Sequence, residues 1–487
     1  MSEFNAVDEC VAVSGGVPYL AIAHEKIDWI AQGNALLGES RFDEARTAYA
    51  VGMETDKVTV LNNIGFSFMK ERRFEEAVPY LQTALKLDAQ YVLARGNLCS
   101  ALTQAGLAAM QQGAIEKAES WLYSALAADP NYGWALLNLG NIAQRRGQRD
   151  IATFWYHRAI AASPDYAQAH NNLAHLLLVQ GDFEAGWAHY EWRWKTDDFP
   201  SEKRKFDAIA WRGENIGESS ILVHGEQGFG DNIQFCRYVK YLRQRLPHAT
   251  IYLEVYPELY PLLRDVDGPD AVFAKNGEPL PSFQYEIALM SLPRLLTPSV
   301  KDVPKEARYL SFPPEDNFAD LAAVRRERPV IGLNWAGRPS HGNDGKRSLD
   351  LADLARFFDI EDVAFVSFQK GEKVRQIETF SDRAEILSLD ERIRNFRDTA
   401  QALRHVDLLV TVDSANLHLA GALGVPTFAL IAFQPDFRWM LERSDTIWYR
   451  SVKLFRQQQE GVWQTPIEEC IRFAREFVGR ADSWADD

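Results

Sequence analysis

A repeat in the N-terminal part of this chain limits its possible folds more than any other feature. Ala118, Ala152 and Gly186 follow one another at a constant interval, and each comes twelve positions after another small residue: Gly106, Gly140 and Ala174. That interval, about 34 residues, is the period of stacked helical hairpins, whose antiparallel helices approach closely at small residues. Gly65 and Ala77 form the same pair one unit earlier, with a longer step from Ala77 to Ala118, and Ala45 precedes Ala77 by a slightly shorter one. The segments FDEARTAY, FEEAVPYL, IEKAESWL and DIATFWYH restart the same pattern, and Asp129-Pro130 and Ser163-Pro164 close two units. The long step from Ala77 to Ala118 implies one helix or loop that is longer by about one or two turns.

These segments resemble the tetratricopeptide repeat family, over about residues 25–200, behind an N-terminal segment at 1–24. Asn63, Asn138 and Asn172 fall on the first helices of their units, the position that faces the concave groove in such solenoids. Each amide offers donors and an acceptor. Aligned amides could hold the backbone of an extended polypeptide without reading its sequence; the same residues could instead cap or bridge helices.

The helical pattern ends after Trp192-Arg193-Trp194, and a polar, charged stretch follows that reads as a linker or docking segment. Apolar runs of strand length then alternate with amphipathic helices. SILV, TIYLEV, AVFA and YEIAL form one set, and VIGLNW, AFVSFQ, AEILSL, DLLVTV and TFALIA form another. Strands alternating with helices predict parallel sheets. The chain is therefore expected to be an α-solenoid followed by an α/β region of two Rossmann-like lobes, 201–325 and 326–487. EDNFADLAAVRRERP joins the lobes; a single large doubly wound sheet is the other arrangement.

Three loops at strand ends carry candidate chemistry. His224-Gly225-Glu226-Gln227-Gly228-Phe229-Gly230-Asp231 follows SILV, where open α/β sheets bind ligands. Gly228 and Gly230 allow close backbone approach, and Asp231 begins the next helix as a catalytic group or an N-cap. Asn334-Trp335-Ala336-Gly337-Arg338 leads to a Gly-rich loop from Ser340-His341 onward, whose Lys346 and Arg347 are cations able to neutralise a donor phosphate. DLLVTV ends at Asp413, and the helix after it opens with Ser414 and Ala415, whose backbone amides make an anion site. His418 lies four residues after Ser414, so it either faces the same cleft or packs internally.

Together these stretches resemble the GT-B glycosyltransferases, in particular heptosyltransferase-like enzymes (glycosyltransferase family 9-like) and their bacterial relatives with tetratricopeptide repeats. The resemblance implies that Asp231, in Gly230-Asp231, is the catalytic base, and that Lys346 is a donor-side lysine. It matches Asp413 and His418 to a donor motif, here DSANLH, and Gln369-Lys370-Gly371 to a turn of the repeat-bearing relatives. Phe433-Gln434-Pro435-Asp436-Phe437-Arg438-Trp439 matches a later stretch of those relatives. An inverting, metal-independent reaction follows, with a nucleotide sugar as co-substrate and no cofactor. Heptosyltransferases proper lack the repeats and act on lipopolysaccharide, so neither heptose nor that acceptor is carried over. Repeat grooves joined to GT-B modules resemble protein O-glycosyltransferases, including bacterial enzymes that modify flagellin with nonulosonic acids from CMP-sugars.

The balance of 68 acidic against 53 basic residues, a net charge of −15, argues against wholesale nucleic-acid or anionic-membrane binding. No run approaches the ~18 apolar residues of a membrane span. The N-terminus is acidic where a signal peptide is basic, and Cys10, Cys99, Cys236 and Cys470 form no C-x-x-C pair. A cytoplasmic protein with reduced thiols is expected. The functional expectation is transfer of a sugar to Ser/Thr hydroxyls of a polypeptide such as flagellin, held by the repeats. The alternative is an inactive scaffold that retains the transferase fold.

Overall fold

A computed structural model describes residues 28–226, 228–304, 306–340 and 342–479. The segment 1–24, Cys10, Gln227 and His341 lie outside the described residues. The chain divides into two compact units, Met1–Ala135 and Leu136–Asp487.

In the first unit three helical hairpins follow one another: Trp29–Gly38 with Phe42–Val51, Lys57–Lys70 with Phe74–Leu87, and Val92–Gln111 with Ile115–Ala128. Their second helices open with acidic residues, Asp43-Glu44, Glu75-Glu76 and Glu116, which offset the positive end of the helix dipole. The recurrent Ala45, Ala77 and Ala118 are fully buried at the helix contacts. The long step from Ala77 to Ala118 is a longer helix rather than a longer loop: Val92–Gln111 has 20 residues where Lys57–Lys70 has 14. The added residues make roughly one and two-thirds turns.

The second unit continues with Arg149–Ala162, Ala167–Gln180 and Phe183–Tyr190, and a 3-10 turn at Glu191–Lys195 ends the helical part. Two parallel sheets follow. The first contains β1 (Ile209–Ala210), β2 (Ser220–His224), β3 (Thr250–Val255), β4 (Ala271–Ala274) and β5 (Tyr285–Ala288), in the order β1-β5-β2-β3-β4. The second contains β6 (Val330–Asn334), β7 (Ala364–Ser367), β8 (Ile386–Ser388), β9 (Leu408–Val412), β10 (Thr427–Ile431) and β11 (Val452–Arg456), in the order β11-β10-β9-β6-β7-β8. The solenoid is thus followed by two Rossmann-like sheets, a GT-B-like architecture, and not by one continuous sheet. Helix Ala319–Glu327 joins them; its Arg325 pairs with Asp407, at 2.8 Å, beside the start of β9.

β2, β6, β9 and β10 are buried at every position, as parallel strands covered on both faces must be. The core of the second lobe gathers Leu333, Trp335, Phe357, Val410, Leu430 and Ile471. In each sheet the order reverses at one place, between β2 and β5 and between β6 and β9. Loops leaving neighbouring strands in opposite directions open a crevice there, at the carboxyl ends. All three sequence motifs leave strands at these two places. Cys99, Cys236 and Cys470 are buried free thiols, and no helix among the described residues is long and apolar enough to cross a membrane.

Candidate active site

The loop after β2 turns at Gly228, whose φ of 107° is a left-handed conformation that side chains rarely adopt. A Cβ at this position would also overlap Asp231 Oδ2. Helix Phe229–Phe235 begins next, with Asp231 in its first turn. It packs against helix Ala415–Leu423 of the second lobe, and Gly230 lies at that contact. A Cβ on Gly230 would sit 2.6 Å from His418 Cδ2 and 3.5 Å from Ala415 Cα. His418 has little room to yield: its Nδ1 is 2.9 Å from Tyr449 Oη, and its ring stacks on Trp439. Gly230→Ala should therefore destabilise the chain by about 1–3 kcal/mol, the usual cost of overpacking, read as a lower Tm. A variant that melts with the wild type would show that the two helices can part freely.

Asp231 does not stand alone. Its Oδ1 pairs with Arg438, which also donates through Nη1 to Asp436 at 2.7 Å and through Nε to Gln234 at 2.6 Å. Arg438 is 6% exposed and lies over the Phe437 ring. One guanidinium therefore ties a carboxylate of the first lobe to one of the second. Burial pushes Asp231 up to about 6, while Arg438 pulls the other way. Burial, and then the charge of Asp436, push Asp413 up to about 6 as well. Asp436 is itself desolvated, but Arg438 prevails and holds it below its ordinary value. Two carboxylates that titrate near neutrality in one cleft are candidates for proton transfer. Burial drives the His418 imidazole far below its usual range, so it is neutral.

At the reversal in the second sheet, Asn334 ends β6 and organises the loops. Its Oδ1 accepts from Ser414 Oγ at 2.9 Å and from Asn416 Nδ2 at 3.0 Å. With its hydroxyl engaged there, Ser414 makes no side-chain cap, and the first amides of helix Ala415–Leu423 have no side-chain acceptor among the described residues. Gln369 is buried and works inside the protein: its Oε1 accepts from Asn334 Nδ2 and from the amides of Trp335 and Ala336, at 2.8–3.2 Å.

The cations divide. Arg347 is 18% exposed, and its Nε is buried without a hydrogen-bond partner among the described residues, 3.7 Å from Asp344 Oδ1. Its charge reaches Asp413 and His418. Lys346 is about half exposed and pairs with Glu460 at 3.0 Å, on the rim of a cleft of about 520 Å³ that Phe433, Gln434 and Trp463 also line. Lys370 is tied to the 390–393 loop, through Asp390 Oδ1 and Ile393 O, both at 3.0 Å.

The repeat asparagines form amide chains. In the first unit Asn97 donates to Asn62, Asn62 to Asn63 and Asn63 to Asn34, at 2.8–3.1 Å. In the second, Asn172 donates to Asn141 at 2.8 Å and Asn141 to Asn138 at 3.4 Å. These amides bridge helices, and each retains further donor or acceptor capacity.

The structure thus brings Gly228, Gly230, Asp231, Asp413, Ser414, Ala415 and His418 to the meeting of the lobes, with Arg347 within electrostatic reach. Lys346, Lys370 and Gln369 are engaged elsewhere, and Asn63 belongs to the other unit. Sequence reasoning missed Asn97, although it follows Asn63 at the same interval that separates Asn138 from Asn172. It also assigned no role to Asn334, Asp436 and Arg438, all of them inside stretches already singled out.

Comparison with known proteins agrees with the repeats. The family described as Tetratricopeptide repeat matches residues 62–133 and 137–191. Protein FlbA of Caulobacter vibrioides is 24% identical over 444 residues, spanning 87% of this chain and 74% of FlbA. A solved glycosyl transferase family 9 structure from Veillonella parvula is 13% identical, covers 55% of this chain and 100% of its own, and has a TM-score of 0.42. A thermophilic repeat protein of Thermus thermophilus is 22% identical, with 34% and 87% covered and a TM-score of 0.23. Scores this low add nothing to the fold, which rests on the strand orders above. The chain carries tetratricopeptide repeats ahead of a GT-B-like α/β region.

Proposed function

We propose that this chain is a glycosyltransferase that moves a sugar from a nucleotide donor to Ser/Thr hydroxyls of a polypeptide held on the repeat asparagines. The observation that carries the reading is the convergence of Asp231, Asp413, Asp436 and Arg438 where both sheets reverse their strand order. Asp231 accepts the proton of the acceptor hydroxyl. Charge growing on the departing phosphate meets the first amides of helix Ala415–Leu423 and the guanidinium of Arg347, whose Nε has no hydrogen-bond partner among the described residues and lies 3.7 Å from Asp344. The likeness to FlbA runs across repeats and lobes together, which supports reading them as one working unit.

The finer reading, flagellin as acceptor and a CMP-nonulosonic acid as donor, extends the motif resemblance. Its test is incubation of the purified chain with flagellin and a panel of nucleotide sugars, followed by intact-mass measurement. A mass increase with one donor supports the reading; no increase with any donor leaves the scaffold alternative.

Donor binding has its own test. Arg347→Ala should weaken nucleotide affinity about tenfold or more, the loss of one charged hydrogen bond to phosphate. Lys346→Ala should cost less, since its ammonium already pairs with Glu460 at the surface. Calorimetry that finds the opposite order would exchange their roles.

A further inference from the structure

Helix Ala167–Gln180 of the last repeat carries Asn172 and His175 three residues apart, on one face. The helix packs against the turn Phe437–Trp439, so the repeats reach the carboxylate cluster directly. The His175 ring lies 5.8 Å from that of Phe437 and 5.6 Å from that of Tyr190, edge-on to the latter. Phe437 stands between Asp436 and Arg438, and both charges act on the imidazole. Tyr190 in turn feels the charges of Asp231 and Arg438.

His175 is half-buried, yet neither ring nitrogen has a hydrogen-bond partner among the described residues. Its neighbour on the same face differs: Asn172 donates to Asn141 and accepts from Gln168 Nε2 at 3.0 Å. The nitrogens of His175 are not among the fully buried polar atoms that lack a partner, so they reach solvent, where a bound chain can meet them. Burial lowers the imidazole below its usual value, so near neutral pH it is uncharged and offers one donor and one acceptor.

We propose that His175 is a contact for the acceptor polypeptide, hydrogen-bonding the residue that bears the reacting hydroxyl as it passes from the Asn172 face to Asp231. The inference rests on the proposed transfer to a polypeptide and names the repeat residue that completes the site. A ring nitrogen in that position fixes the hydroxyl's approach without taking its proton, which goes to Asp231. The repeats would then contribute to the reaction as well as to capture.

The test uses the full chain with flagellin and CMP-nonulosonic acid, and compares His175→Phe with His175→Gln. Phe keeps an aromatic ring and its contacts at a somewhat larger size; Gln keeps a donor and an acceptor. Transfer by His175→Phe should fall about tenfold in kcat/KM, the loss of one hydrogen bond in the transition state. Nucleotide affinity and Tm should stay at wild-type values, and His175→Gln should recover part of the transfer. A packing role would give the reverse order, with Phe tolerated and Gln impaired, and that order overturns the assignment. So does His175→Phe transferring within twofold of wild type, while the transferase reading stands. A wild-type chain inert with every donor in the panel overturns that reading and this inference with it.

Discussion

Asp231→Asn should lower turnover by about 10²–10⁴-fold, the share that a general base contributes. The Asn side chain keeps the size of the carboxylate and can still accept a hydrogen bond from Arg438, but it cannot take a proton near neutral pH. The pH profile gives the sharper signature. Burial raises Asp231 to about 6, so wild-type kcat/KM should climb as pH rises through about 6 and then level off. Asp231→Asn should lose that limb. Asp413 is raised to about the same value, so Asp413→Asn is the control: its limb should persist while its donor affinity falls. The stability side has a definite sign. A carboxylate whose folded value is raised costs stability where it is ionised, above about pH 6, and the cost fades as pH falls toward its unfolded value. Removing the charge at pH 7 therefore relieves that cost, although it weakens the link to Arg438. Lost turnover with a Tm close to wild type assigns the effect to chemistry. Turnover within a few-fold of wild type on a folded variant would falsify the role.

What could be read in the sequence was whatever repeats or sits at the end of a strand. The constant spacing of Ala118, Ala152 and Gly186 exposed the solenoid, because each hairpin needs a small residue at the same place. Asp231 and Asp413 were legible because each follows an apolar run and opens a helix. β11 was not: Lys453 and Arg456 interrupt Val452, Leu454 and Phe455, and only pairing with β10 makes the segment a strand. β1 is two exposed residues inside a polar stretch, ordered by β5 alone. Lys346 and Arg347 are neighbours on one helical turn, Asp344–Arg347, and composition cannot say which faces the cleft. Arg438 lies 207 residues from Asp231 in a turn without strand or helix periodicity. Its importance comes from the second lobe meeting the first, a property of tertiary structure that no local pattern encodes.

Arg193 was equally hidden, between two tryptophans that end the repeats, and its replacement should have the largest effect on stability. Its Nε and Nη2 donate to the two oxygens of Glu226 at 2.8 and 2.7 Å, and both side chains are 1% exposed. Ser291 Oγ, the carbonyl of Tyr190 and Glu191 Oε1 also accept from it, at 2.9, 3.2 and 3.0 Å. Glu226 belongs to the glycine-rich loop, and its carbonyl accepts from Asn232 Nδ2 at 2.5 Å, in the residue after Asp231. Arg193→Met keeps the length of the stem but leaves a carboxylate buried without its counter-charge. The expected cost is about 3–5 kcal/mol, seen as a Tm lower by several degrees. Turnover should fall with it, because the loop that aims Asp231 loses its anchor to the repeats. Adding Glu226→Gln to Arg193→Met removes the stranded charge, and most of the lost stability should return, since an apolar or neutral pair avoids the desolvation of two ions. Turnover should recover less than stability, because the bidentate grip on the loop stays absent. If stability and turnover recover together, the pair only balances charge; if the single variant melts within a degree of wild type, the repeats do not brace the loop through Arg193 at all.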